Sequence, residues 1–99
     1  ARRIRRRKPV TITFEDFMKA WAAQKKKHGL ICPISDQQMT HIQGLGNLET
    51  NISIDRINSS KDYIKGNIQF ICRRVNTMKH NESLESLIFW SRAIAEHYV

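Results

Sequence analysis

The chain between residues 51 and 80 runs NISIDRINSSKDYIKGNIQFICRRVNTMKH. Ile52 and Ile54 alternate with Ser53 and Asp55, the period of two that a half-buried strand requires, and the strand is predicted to end near Asp55. Asn58, Ser59, Ser60, Asp62 and Gly66 are loop and turn formers. Ile68 to Ile71 is a second apolar run, short enough for a strand. Cys72 to His80 suits a short helix. The order strand, loop, strand, helix predicts a β-hairpin with a helix laid against it.

On the N-terminal side, Thr13 is a good N-cap, with Glu15 and Asp16 in the first turn, where the helix dipole favours negative charge. Phe14, Phe17, Met18 and Trp21 fall at i, i+3, i+4 and i+7, which predicts one apolar helix face. Lys25, Lys26 and Lys27 close this helix and Gly29 is placed to end it. Gly44, Gly46 and Asn47 are turn formers between two short stretches of β character. On the C-terminal side, Ser83 is predicted to cap a helix running to about Tyr98. Leu84, Leu87, Ile88, Trp90, Ile94, Ala95 and Tyr98 give it a broad apolar face. The expected fold class is α+β: a hairpin and short helix flanked by an N-terminal and a C-terminal helix.

Three motifs stand in order: Ser-Ile-Asp-Arg-Ile at 53–57, Gly-Asn-Ile-Gln-Phe-Ile-Cys at 66–72, and Val-Asn-Thr-Met-Lys at 75–79. In order and spacing they resemble the HNH (ββα-metal) endonucleases, most of all small phage-type members. The resemblance runs from about Cys32 to Lys79, half of the chain. It implies a ββα-metal core and a metal-dependent DNA endonuclease or nickase that hydrolyses phosphodiester bonds. It also implies one Mg²⁺ or Mn²⁺ ion held by Asp55 and Asn76. A hard cation of this kind takes oxygen ligands and keeps several waters, so two side chains suffice. Asn67 matches the middle Asn of the pattern, whose expected role is to tie down the loop and orient the strand that carries the aspartate.

The chain departs from the pattern at Arg56, where most members place a general-base histidine. Arginine accepts no proton at physiological pH, but it can bind the scissile phosphate or stabilise developing charge. Either another group activates the water or the domain does not cleave. His41, on the segment leading into the hairpin, is the best-placed substitute, and it is expected across from Asp55. Its other reading is an exposed polar residue. His80 follows the short helix, where it suits a favourable C-terminal charge or a DNA contact. Tyr63 is a poor base at neutral pH. His28 and His97 receive no role.

Many HNH proteins carry two C-x-x-C knuckles around a structural zinc; here those places read Cys32-Pro-Ile-Ser35 and Cys72-Arg-Arg-Val75. One cysteine is left in each, so no structural zinc is expected. The two thiols are predicted to be small buried hydrophobes touching each other, with the flanking helices supplying the core that zinc would otherwise organise.

Seventeen Lys and Arg stand against nine Asp and Glu, a formal charge of +8 that favours a polyanionic partner. Six of these cations (Arg2, Arg3, Arg5, Arg6, Arg7 and Lys8) crowd into residues 1–9, which therefore read as a basic disordered arm ahead of one domain at 10–99. Double-stranded DNA is the expected partner, with Arg56, Lys61, Lys65, Arg73, Arg74 and Lys79 joining the arm as phosphate contacts. A membrane partner is not expected, because no segment approaches a bilayer-spanning length. Two cysteines are too few for a disulfide scaffold, which suits an intracellular setting. The start at Ala1, without a leader-like apolar run, suits a trimmed chain or one domain of a larger parent. A dimer partner would be needed for double-strand cutting. Two readings compete with the nuclease: a DNA-binding module that keeps the fold without catalysis, and a basic adaptor for RNA or an acidic protein.

Overall fold

The computed structural model describes residues 12–44 and 48–98. The basic arm at 1–9, with its six cations, and the turn formers Gly46 and Asn47 lie outside the described residues. The elements run α1 (Phe14–His28), β1 (Ile52–Arg56), β2 (Ile68–Cys72), α2 (Arg73–Lys79) and α3 (Leu84–Tyr98). This is a small α+β arrangement of a two-stranded antiparallel hairpin with three helices among the described residues.

The helix ends are where the sequence put them. Thr13 Oγ1 accepts the amide of Asp16 at 3.0 Å, and the amide of Ser86 donates to Ser83 Oγ at 3.1 Å. Gly29 ends α1 at φ 61°, a conformation that glycine adopts without cost. The first amides of α2 are capped by carbonyls from the segment ahead of β1: Arg73 donates to the Asn51 carbonyl at 2.8 Å and Arg74 to the Glu49 carbonyl at 3.0 Å.

Register fixes which side chains share a face of the hairpin. Ile54 pairs with Phe70, and Asp55 with Gln69. Since successive side chains alternate, Ile54 and Phe70 lie on one face and Ser53, Asp55, Gln69 and Ile71 on the other. The first face receives α1. Phe17 and Trp21 meet Phe70 edge-to-face, with ring centroids 5.3 and 5.0 Å away. Gln24 completes this contact: its Nε2 donates to the Phe70 carbonyl at 2.6 Å and its Oε1 accepts the Phe70 amide at 2.8 Å. The second face receives α2. The alternation in β1 is thus real but inverted in burial, because Asp55 is only 4% exposed while Ile54 is exposed.

Three expectations need correction. The core is not supplied by the flanking helices, since neither α1 nor α3 has a fully buried residue. It is centred on Cys32, Met39, Ile71 and Cys72, with Ile34, Ile52 and Val75 packed around them. The apolar faces of the two long helices are only partly covered. Phe14 is 79% exposed, and in α3 Trp90, Ile94 and Tyr98 are 61%, 60% and 83% exposed. A 15-residue helix that meets the rest of the molecule through α2 can cover only its first turns. Upstream of Gly44 the chain forms isolated bridges, Ile31 with Gln38 and Thr40 with Asn51, rather than a strand. Among the described residues no helix is long and apolar enough to cross a membrane.

Candidate functional site

Where the second hairpin face meets α2, an open polar cleft of about 300 Å³ forms, walled by Ser53, Asp55 and Arg56 of β1, Arg73 and Asn76 of α2, and His80 and Asn81 beyond it. Asp55, Arg56 and Asn76, expected together from the sequence, therefore meet at one place. Arg73, expected as a phosphate contact, lines the same wall.

Asp55 is the most constrained of these groups. The ammonium of Lys79 donates to its Oδ1 at 2.9 Å and Oδ2 at 3.1 Å, and Gln69 Nε2 donates to Oδ2 at 2.9 Å. The third hydrogen of Lys79 goes to the Arg56 carbonyl at 2.8 Å. Lys79 is 0% exposed, so its expected role as a DNA contact is wrong. The last turn of α2 points it into the hairpin, where a buried carboxylate demands a cation. Its spacing from Asn76, i and i+3 on one helix face, was the available signal.

Asn76 donates its amide to Ser53 Oγ at 2.6 Å and to the Ile54 carbonyl at 3.1 Å. The nitrogen is thus held by β1, and the carboxamide oxygen is the part left for a ligand. Asp55 Oδ1 accepts from Lys79 alone and so retains a lone pair. Two oxygen donors on one cleft wall fit the requirement of a hard cation such as Mg²⁺ or Mn²⁺. Among the cleft-lining residues Asp55 is the single carboxylate, and its charge is already balanced by Lys79.

Asn67 is buried and ties the loop as expected. Its Oδ1 accepts the Asn58 amide at 2.9 Å, and its Nδ2 donates to the carbonyls of Asn58 at 3.1 Å and Asp62 at 2.9 Å. Arg56 is held loosely: its guanidinium lies 5.4 Å from the Tyr63 ring centroid and makes two 3.4 Å contacts, to the Lys61 carbonyl and Asn81 Oδ1. Such contacts are easily exchanged for a phosphate. Lys61 and Lys65 are exposed on the loop, and Arg74 is exposed but paired with Glu49.

His41 is exposed and is not among the residues that line the cleft. The Asn51 side chain bonds both Thr40 and Ile42, which fixes the segment at the start of β1. Asp55 lies four residues further along, roughly 13 Å at the rise of a strand. His80, by contrast, lines the cleft. Its φ of 48° is rare for a residue with a β-carbon, and the turn is pinned by Ser59 Oγ donating to the Asn81 carbonyl at 3.0 Å. Arg56 can only donate, so Asn81 Oδ1 is an acceptor and Asn81 Nδ2 is the group facing His80 Nε2 at 3.4 Å. Nε2 is thus the ring nitrogen turned towards Asn81.

The four knuckle positions also converge. The Cys72 amide donates to Cys32 Sγ at 3.4 Å, Ser35 Oγ donates to Cys72 Sγ at 3.9 Å, and Val75 packs on the same cluster. Burial pushes the Cys72 thiol up, and the neighbouring Cys32 adds to it. At Cys32 burial acts the same way but is outweighed by hydrogen bonds from the Ser35 hydroxyl and nearby amides, which hold it below its ordinary value. No protein-family model, curated protein or solved structure matches the chain.

Proposed function

We propose that this chain is a metal-dependent DNA nuclease of the HNH type, with a ββα-metal core formed by the hairpin and α2. The observation that carries the reading is the cleft in which Asp55 and Asn76 share a wall with Arg56, Arg73 and His80. Phosphodiester hydrolysis needs that combination: oxygen donors for a hard cation, cations for the phosphate, and a group that takes a proton from water. The meeting of Cys32, Ser35, Cys72 and Val75 adds support, since these are the positions of the two knuckles in the family pattern.

Asp55 and Asn76 would hold the ion, which when bound supplies positive charge to the phosphoryl and leaving oxygens. Arg56 and Arg73 orient the scissile phosphate from the cleft walls. Asn67 keeps the 58–62 loop in place and so fixes Arg56 at the end of β1. His80 takes the role that Arg56 cannot fill, accepting the proton of the attacking water. A second reading, a DNA-binding module without catalysis, draws on one observation: both Asp55 oxygens are already bonded to Lys79.

Nicking of supercoiled plasmid in Mg²⁺ or Mn²⁺ separates the two. Wild type should yield open circles. Asn76→Ala and His80→Gln should each slow this by about 10²-fold or more, with imidazole restoring a variant that lacks the ring, while His41→Ala cleaves as wild type. Wild type that binds the plasmid and leaves it intact with either metal overturns the nuclease reading.

A further inference from the structure

Lys79 gives the cleft an ion balance that bears on the order in which metal and DNA bind. Its ammonium is fully buried and all three of its hydrogens are engaged, two by Asp55 and one by the Arg56 carbonyl. It is therefore a fixed charge of the folded chain rather than a mobile counter-ion. With Asp55 neutralised by Lys79, the remaining full charges on the cleft walls are Arg56 and Arg73, both positive. A divalent cation entering the cleft ahead of DNA meets net repulsion and two oxygen donors. A phosphate diester entering first meets net attraction, offsets one positive charge and brings further oxygen ligands.

Resting on the nuclease reading above, we propose that Lys79 acts as a resident counter-cation that makes metal uptake conditional on DNA. The free protein leaves divalent ions in solution, and the ion is taken up together with the phosphate. Coupling of this kind is reciprocal, so the metal must tighten DNA binding by the factor by which DNA tightens metal binding. That sign is diagnostic, because divalent ions ordinarily weaken protein–DNA association by competing for the phosphates.

The test uses the 99-residue chain with Mn²⁺ as the probe. Titration of the free protein followed by electron paramagnetic resonance should show wild type binding Mn²⁺ no tighter than the millimolar range. Lys79→Met, which leaves Asp55 without its internal cation, should bind at least about tenfold tighter and gain thermal stability on adding Mn²⁺. Adding Asn76→Ala to that variant should abolish the gain. For wild type alone, anisotropy of a labelled duplex should show DNA affinity rising about 10- to 100-fold with Mn²⁺. If free wild type binds Mn²⁺ as tightly as Lys79→Met, or if its DNA affinity falls on adding Mn²⁺, the coupling is overturned while the metal site stands. If neither chain binds Mn²⁺ with or without DNA, the metal site and the nuclease reading fall together. The wild-type arms decide the matter even where Lys79→Met does not fold.

Discussion

Asp55 and Lys79 form a buried ion pair, and such pairs are judged by what happens when one member is removed. The charge left behind has no water to turn to, so Lys79→Met or Asp55→Leu alone should each destabilise the chain by about 3–5 kcal/mol. The double variant should recover most of this loss, because two apolar side chains of similar size can replace a buried pair at little cost. Urea unfolding of the three variants checks both statements, and a double variant as unstable as the sum of the singles would contradict them. His80 makes the opposite case, a residue whose conformation opposes stability. Its φ of 48° belongs to glycine, so His80→Gly should raise stability by about 1 kcal/mol by relieving the backbone. The same variant should nick DNA far more slowly, and melting and plasmid assays on one preparation would show the two effects in opposite directions.

At the level of elements, Asn67 joins β2 to the loop that precedes it through three hydrogen bonds from one buried side chain. Asn67→Ala should cost about 2–3 kcal/mol, since it strands buried partners as well as losing bonds. It should also raise amide exchange across residues 58–62 before the rest of the hairpin responds, and uniform exchange would argue against a local tie. The elements themselves were legible in the sequence because their signals are local: Thr13 and Ser83 at helix starts, Gly29 at a helix end, alternation in β1. What touches what was less legible. Alternation in β1 says that two faces differ but not which one turns inward, and the buried one carries Asp55. Lys79 looks like any helix-end cation until the register of the hairpin places Asp55 under it. The sequence places His80 just past α2, and its place on the cleft wall depends on a turn tied to Ser59, far away in sequence.

For the molecule as a whole, charge is unevenly distributed: six of the eight net positive charges fall in the first eight residues, ahead of every described element. If the arm grips phosphates, DNA affinity should fall steeply with salt, and removing residues 1–8 should lessen the slope of log K against log salt by up to about 5, near 0.9 per lost contact. Cleft variants such as Arg73→Ala should change that slope by about 1. Anisotropy at several salt concentrations measures both, and an unchanged slope after truncation would remove the arm from the interface. The hairpin that holds the cleft has a further property, set by Gln24. At Phe70 a side-chain amide gives one hydrogen bond and takes another, as the backbone of a third strand would. Two-stranded ribbons otherwise present open edges to any extended polypeptide. Losing Gln24 should therefore be felt first between molecules, as edge-to-edge joining where the Phe70 backbone is laid open.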